Sequence, residues 1–339
     1  MDTIGLDIGS QILKIVQLES GGGRFRLKAI GNGPSTYKGL ISDADADLTS
    51  LAAAVKKLHS DLRIDCKNVV AAVPEDQAIT RLISLPSLSA EELESALKWE
   101  AEQYVPFPLA EATLSYQTIH QQTRGANQKM EVLLVAALNR TIDKLVRVIK
   151  AAGLNPISLE TEMLAMSRSL VVSDQEITLL VDLGAKFTDL AIVEKGQLVF
   201  TRSMPTAGEA VTRAIASDLG LEMMQAEEYK RAYGLTGNKL EGKVAKTIEP
   251  ILEAIIKEIV QAIHFYQSSR RDKLVKRVVL SGGTSFLPEV VGWMADRIGV
   301  ETQVGDPFTR VDTGNLAGKI PKETLPLYSV AAGLAMKEV

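Results

Sequence analysis

Thr3-Ile4-Gly5-Leu6-Asp7-Ile8-Gly9-Ser10 opens the chain, and Ile177-Thr178-Leu179-Leu180-Val181-Asp182-Leu183-Gly184 repeats its pattern near the middle. Each is an apolar run that ends in Asp-x-Gly. After the first turn come Ile12 to Leu18 and, past Gly21 to Gly23, Arg24 to Ile30; after the second come Thr188 to Val193 and, past Gly196, Leu198 to Met204. Short apolar runs punctuated by glycine predict strands joined by tight turns, so each copy reads as an antiparallel meander. Two copies of one such unit predict two similar subdomains facing one another.

Composition narrows the setting. A chain of 339 residues has room for two or more domains, and 46 % apolar with 24 % charged residues supports sizeable cores and excludes a disordered chain. Basic and acidic side chains nearly balance, 38 against 42. The formal charge of −4 gives no global attraction for nucleic acid or anionic lipid. Cys66 stands alone, which excludes an internal disulfide, and His59, His120 and His264 are scattered away from zinc spacing. No apolar run reaches the roughly 18 to 20 residues that span a bilayer, and the N-terminus lacks signal-peptide character. The expectation is a cytoplasmic protein with no metal cluster, no nucleic-acid partner and no direct membrane insertion.

Between and beyond the meanders the periodicity changes. Leu48, Leu51, Val55 and Leu58 recur at helical spacing from Asp47, and Val69 to Val73 is a short buried strand. Residues 75–155 read as a separate module. It has a strand at Ala78 to Leu85, a helix opened by a Ser89/Glu92 capping box and closed by Pro106 and Pro108, strands at Ala112 to His120 and Lys129 to Leu138, and a helix from Thr141 to Ala152 ending on Gly153. That β-α-β-β-α order, set between two meanders, predicts an insertion into a larger α/β fold. Helices follow at Gly208 to Leu219 and Met224 to Tyr233. A long amphipathic one then carries Ile251, Leu252, Ile255, Ile256, Ile259, Val260 and Ile263. Arg277 to Leu280 is a strand, and Ser329 to Met336 a closing helix.

Asp-x-Gly turns set a carboxylate at the end of a buried strand beside uncovered backbone amides. Two such turns face to face can cradle a polyphosphate while Asp7 and Asp182 hold Mg²⁺ through its water shell, with Lys14 adding positive charge. Either turn alone is also an ordinary β-turn. A third element is Val278-Val279-Leu280-Ser281-Gly282-Gly283-Thr284, a strand running into a bare-backbone turn that admits a planar or anionic ligand.

Taken together, these three elements resemble the phosphate-1, phosphate-2 and adenosine motifs of the superfamily of ATPases that includes actin, the heat-shock chaperones and the sugar kinases. The resemblance implies an α/β, actin-like ATPase fold, the duplicated ribonuclease H-like architecture, with ATP and Mg²⁺ as ligands. Asp7 and Asp182 would be water-mediated Mg²⁺ ligands. Gly9, Ser10, Gln11 and Lys14 would meet the β-phosphate, and Gly184, Ala185, Lys186 and Thr188 would form the γ-phosphate hairpin. Gly282, Gly283, Thr284 and Phe286 would border the adenosine. The stretch Ala226 to Arg231 looks like the family's Glu-x-x-Lys helix, which would put Glu227 and Lys230 on the ribose and the adenine edge; a plain surface ion pair has the same spacing. Lys186 replaces the Gly or small residue of many members, and either binds phosphate or points to solvent. Glu162 resembles the water-positioning glutamate of bacterial actins, although a surface glutamate at a helix start reads alike.

The inserted module resembles subdomain 1C of the FtsA and PilM families rather than the 1B of actin. Trp99-Glu100-Ala101-Glu102-Gln103-Tyr104-Val105-Pro106-Phe107-Pro108 and Glu162 to Arg168 are similar to stretches of the PilM family. FtsA proteins end in a linker and an amphipathic membrane helix; here Lys337-Glu338-Val339 follows the closing helix directly. The expected division is 1–74 as the first part of 1A, 75–155 as 1C, 156–176 as the 1A return, 177–206 as the first part of 2A, 207–272 as 2B, and 273–339 as the rest of 2A with the closing helix. The family implies an ATP-binding scaffold of the type IV pilus inner-membrane assembly platform, or of the related type II secretion platform, with at most slow ATPase activity. It also implies capture of the N-terminal cytoplasmic tail of PilN near the junction of 1A and 1C, so that a partner recruits the protein to the inner membrane. Other platform proteins and motor ATPases are further partners on this reading. Alternatives from the same superfamily are a small-molecule kinase, and an FtsA-like division protein or filament.

Overall fold

The computed structural model describes residues 2–21, 23–36, 38–121, 129–173, 175–270, 273–316 and 320–338. The first meander is β1 (Asp2–Ile8), β2 (Ile12–Gly21) and β3 (Arg24–Pro34), followed by α1 (Asp45–Asp61) and β4 (Asn68–Val73). Then come β5 (Ala78–Pro86), α2 (Ala90–Tyr104), β6 (Ala112–Gln121), β7 (Lys129–Leu138), α3 (Asn139–Ala151), β8 (Asn155–Thr161) and α4 (Glu162–Leu170). The second meander is β9 (Ile177–Leu183), β10 (Thr188–Glu194) and β11 (Gln197–Met204). It leads into α5 (Gly208–Leu219), α6 (Met223–Tyr233), α7 (Lys243–Ser269), β12 (Val275–Ser281), α8 (Val290–Ile298), β13 (Glu301–Val304), β14 (Val311–Asp312) and α9 (Ser329–Ala335).

Two sheets result, in the orders β14-β3-β2-β1-β4-β8 and β13-β12-β9-β10-β11-β5-β7-β6. In each, the antiparallel meander takes on parallel strands beside its first member: β4 then β8 next to β1, and β12 then β13 next to β9. The repeat seen in the sequence is thus a repeat in space. β1 and β9 read as continuous apolar runs because both faces of their sheets are covered, the usual pattern for parallel-paired strands.

Coverage shows how the halves are joined. One face of the first sheet packs on α1 and α3, and the corresponding face of the second packs on α5, α7 and α8, with the α7 stripe of Leu252, Ile255, Ile259 and Ile263 buried there. Between the sheets lie α4 and α9. Met163, Met166 and Leu170 of α4 pack on Leu180, Ala191 and Val279 of the second sheet, while Ala331, Ala332 and Ala335 of α9 pack on Val16 and Leu18 of the first. Each half therefore supplies the helix that covers the other. A Cβ added at Gly333 of α9 would stand 1.8 Å from the carbonyl oxygen of Ala165 in α4, and one at Gly5 of β1 would stand 1.9 Å from that of Ala331. Backbone meets backbone at both crossings.

This packing corrects the expected division in two places. The closing helix, grouped above with the second half, packs on the first sheet. The helix at 139–151, grouped with the inserted module, buries Leu145, Val148 and Ile149 against α1, because its apolar face matches the first sheet and not the module. The module's own core is Ile83, Leu85, Leu93, Leu97, Ala101, Val132 and Leu134 under α2, whose start carries the Ser89/Glu92 capping box. Its strands extend the second sheet rather than the first, through a single paired position, Phe200 with Arg81. The boundary expected at 272 falls outside the described residues. Among the described residues no helix is long and apolar enough to cross a membrane.

Gly333→Ala should destabilise the protein by about 3 kcal/mol or more, since the clash is with backbone that no rotamer change relieves. Gly237→Ala, where a Cβ meets nothing within 4 Å, should leave the midpoint of thermal unfolding unchanged.

Candidate functional site

Strand register brings out a difference between the two turns. In the first hairpin Asp7 lies directly opposite Lys14; in the second, Asp182 lies directly opposite Asp189. Directly opposed side chains on an antiparallel pair are neighbours on one face, so the first pair attracts and the second repels. Lys14 Nζ donates to Asp7 Oδ2 at 2.9 Å, and both side chains are largely buried. Burial pushes the Lys14 ammonium down, but the charge and hydrogen bond of Asp7, with Asp182 and Glu162 nearby, more than reverse this and hold it above its ordinary value. Asp189 is buried and its Oδ1 has no hydrogen-bond partner among the described residues. Burial, reinforced by the charges of Glu75 and Asp182, holds its carboxyl well above the usual range. Asp182 is pushed up to about 6 by burial, with Lys14 opposing the shift and Asp7 adding to it.

Glu162 joins this group from the first turn of α4. Its Oε2 accepts the Glu75 amide N–H at 3.0 Å, and Glu75 Oε2 accepts the Met163 N–H at 3.2 Å. The two glutamates thus clasp the root of the inserted module to the start of α4. Burial first, then the charges of Asp189 and Asp7, holds the Glu162 carboxyl well above its ordinary range. Glu75 is only 3 % exposed; burial raises it to about 7, and its Oε1 has no hydrogen-bond partner among the described residues.

The second hairpin is tied to the third sequence element and to α5. Gly282 has φ +80°, and a Cβ there would fall 2.4 Å from Asp182 Oδ1 and 2.5 Å from the Leu183 carbonyl. Only glycine lets that turn lie against the carboxylate. Thr284 Oγ1 donates to the Gly184 carbonyl at 3.3 Å, and the first amides of α5 donate to the hairpin as well, Gly208 to Gly184 at 3.1 Å and Glu209 to Ala185 at 2.8 Å. Gln11 Nε2 reaches across from the first hairpin to Glu209 Oε1 at 3.2 Å. Gly9, Ser10, Ala185 and Phe286 are partly exposed along this cleft and Gly283 is open. Lys186 is partly exposed and has no ion-pair partner among the described residues.

Two expectations change. Thr188 is completely buried and its hydroxyl donates to the Thr206 carbonyl at 2.7 Å, so its side chain fastens the return strand instead of facing the cleft. Glu227 and Lys230 are not a solvated surface pair. Lys230 is buried, with Nζ donating to Glu227 at 2.6 Å, Thr212 Oγ1 at 2.9 Å and the Gly208 carbonyl at 3.2 Å, which ties α6 to the start of α5. Burial pushes Lys230 down and Glu227 only partly offsets this.

Sequence reasoning missed Glu75, Asp189, Gly208 and Thr212. Asp189 did leave a signal, as a charged residue inside the apolar run Thr188-Asp189-Leu190-Ala191-Ile192-Val193 at the same distance from Asp182 as Lys14 is from Asp7. Gly208 and Thr212 gave none, being ordinary residues of a helix start.

A family model described as type IV pilus assembly protein PilM matches residues 5–339. The chain is similar to a solved PilM-PilN type IV pilus biogenesis complex, with 28 % identity, TM-score 0.84, and 99 % of this chain and 98 % of that one covered. The cell division protein FtsA of Pseudomonas aeruginosa is 23 % identical over 379 residues, covering 98 % of this chain and 88 % of that protein. MreB5 of Spiroplasma citri, solved with ADP bound, superposes with TM-score 0.53 at 13 % identity, covering 98 % of this chain and 94 % of that one. The fold is that of the actin-like ATPases.

Carboxyls raised in the folded state add stability that is complete below the unfolded value near 4 and is lost as pH rises through the folded value. Glu75 and Asp182 put that loss at about 6 to 7. Without added ligand, the protein should therefore melt higher in mildly acidic buffer than at pH about 8, with Glu75 contributing on the order of 3–4 kcal/mol. Glu75→Gln should flatten the profile, and thermal unfolding across the pH range checks it.

Proposed function

This chain belongs to the family of the type IV pilus assembly protein PilM, and from that membership we propose that it is an actin-like scaffold of the pilus assembly platform. On this reading it binds ATP between its two hairpins and holds the N-terminal cytoplasmic tail of PilN. The observation that carries the nucleotide reading is the unequal pairing of the hairpins. Asp182 and Asp189 confront one another, neither forming an ion pair with a basic side chain among the described residues, beside Asp7, Glu162 and the ion-paired Lys14. A polyphosphate entering alone would add to that repulsion, so the cleft suits a nucleotide that brings a divalent cation.

The donor set fits Mg²⁺ in that role. Asp7 and Asp182 end strands on opposite hairpins, and no group of three or more His, Cys, Asp or Glu among the described residues is arranged to hold a bare ion. An ion that keeps most of its water and takes phosphate oxygens as ligands matches such a pair, and would neutralise charge on phosphates and carboxylates alike. Around it, the backbone at Gly9 and Ser10 and at Gly184 and Ala185 would meet the phosphates. Lys186 would supply the cation that Lys14, held by Asp7, has already committed. Gly282, Gly283, Thr284 and Phe286 would border the adenosine, with Glu227 and Lys230 holding the helix beside it. Glu162, whose Oε2 accepts the Glu75 amide, would be the residue that positions water for at most slow hydrolysis.

The Glu75–Glu162 clasp gives nucleotide state a route to the inserted module. A cleft that closes on ATP biases a hinge, and a glutamate at the cleft that also anchors the module's root shifts with it. The PilN tail would lie near the junction where the module meets the first half. Attachment to the inner membrane would then be borrowed from PilN, with other platform proteins and motor ATPases as further contacts.

Calorimetry with Mg-ATP should show binding to the wild-type protein and a loss of about 10–100-fold for Asp7→Ala and for Asp182→Ala, the usual cost of an outer-sphere carboxylate. Equal affinity in all three proteins sinks the two-carboxylate site. Pull-down by an immobilised PilN tail peptide should change between nucleotide-free and Mg-ATP conditions, and that change should vanish in Glu75→Ala, which removes the acceptor of the Met163 N–H.

A further inference from the structure

An ammonium group has three hydrogens to donate, and Lys230 spends all three inside the protein. Its Nζ donates to Glu227 Oε2 at 2.6 Å, to Thr212 Oγ1 at 2.9 Å and to the Gly208 carbonyl at 3.2 Å, and the residue is only 7 % exposed. No donor is left over for a ligand. Glu227 is occupied too: its Oε2 also lies 2.6 Å from the Thr212 hydroxyl, and its Oε1 accepts the Arg231 Nε–H at 2.9 Å. Gly208 and Thr212 are about one turn apart on α5, and Glu227 and Lys230 about one turn apart on α6, so the four close a ring between the two helices. The far end of α6 is fixed as well, since the Leu235 N–H donates to the Pro288 carbonyl at 3.0 Å.

What the ring holds is the end of α5 that meets the second hairpin. There the Gly208 N–H donates to the Gly184 carbonyl at 3.1 Å and the Glu209 N–H to the Ala185 carbonyl at 2.8 Å. The C=O and N–H of a trans peptide point in opposite directions, so α5, by taking those two carbonyls, turns the amides of Ala185 and Lys186 the other way. Their aim follows the first turn of α5. A Cβ at Gly208 would stand 2.5 Å from Thr284 Oγ1 and 3.1 Å from the Gly184 carbonyl oxygen, so that turn lies as close to the hairpin as a backbone without a side chain allows.

We propose that Lys230 is a positioning residue for the phosphate end of the site and not a ligand of the nucleoside: it fixes the first turn of α5, and α5 aims the hairpin amides. The proposal rests on the reading that a nucleotide binds between the two hairpins. Its effect on a polyphosphate passes through Gly208 and the Gly184 and Ala185 carbonyls, with no contact of its own. Lys230→Met keeps most of the length and the apolar stem and removes the three donors. The first turn of α5 then loses its tie to α6, and the amides of Ala185 and Lys186 lose their common direction. A lysine that touched the ribose or the base would matter only to ligands that carry one.

Two measurements on the full chain separate these roles. Hydrogen–deuterium exchange of the ligand-free protein should be about tenfold faster over residues 205–212 in Lys230→Met than in wild type, the effect of one lost hydrogen bond to a charged group, with exchange in α8 unchanged. Affinities for Mg-ATP and for Mg-tripolyphosphate, the second read by displacement of ATP, should both fall by about tenfold, so that their ratio is kept. Thr212→Val, which removes one acceptor of the same ammonium with little change of shape, should give the same pattern to a smaller extent, and it carries the test where Lys230→Met does not fold. A loss confined to Mg-ATP, with tripolyphosphate unaffected, overturns the proposal, as does exchange over 205–212 that neither variant alters. A wild-type protein that binds neither ligand overturns the nucleotide reading and this proposal with it, whereas the exchange difference, which needs no ligand, would persist.

Discussion

Two helices crossing with backbone against backbone hold this molecule together. Gly333 permits α9 to lie on α4 at Ala165, and Gly5 permits β1 to lie under Ala331. Because α4 serves the second sheet and α9 the first, neither sheet is sandwiched without a helix from the other half. The facing of the two meanders follows from that exchange, and so does the meeting of Asp7 with Asp182. Side chains would hold the helices a normal packing distance apart; their absence at the crossing turns a loose association of two α/β layers into one body.

Within the cleft so formed, electrostatics divides the labour between two copies of one motif. The first copy is complete in itself, since Asp7 has its lysine. The second is left with two facing acids, one of them short of a hydrogen bond, and is quiet only when protonated or joined by a cation. Glu75 and Glu162 extend the same crowd of carboxylates towards the inserted module. The reciprocal amide bonds between them tie the module's root to the start of α4.

Much of this was legible in the sequence, for local reasons. Glycine-punctuated apolar runs announced both meanders, the Ser89/Glu92 pair announced α2, and the α7 stripe announced a buried helix, because each signal lies within a few residues of its cause. The exchange of α4 and α9 was not legible. It depends on which apolar face meets which across more than half the chain, and all the faces are made of the same Ala, Leu, Val and Met. For the same reason α3 was placed with its neighbours in sequence and not with its neighbours in space. In the site, Asp7, Asp182 and Gly282 could be picked out as turn residues at strand ends, whereas Asp189 and Glu75 became visible only through register and burial. Aligning the two meanders residue by residue would have exposed Asp189, standing where the first copy has Lys14.

The helix exchange also sets an order of events during biosynthesis. Gly5 leaves the ribosome 326 residues ahead of Ala331, whose carbonyl it packs against. Until α9 emerges, the first sheet can pair its strands and take on α1 and α3, with α4 reaching Val70 and Ala72 on its other face, but the part of that face that α9 covers stays open to water. Contacts that distant in sequence close late and slowly. A chain still lacking α9 therefore exposes the apolar face that Val16 and Leu18 share, and that surface is a natural target for chaperones.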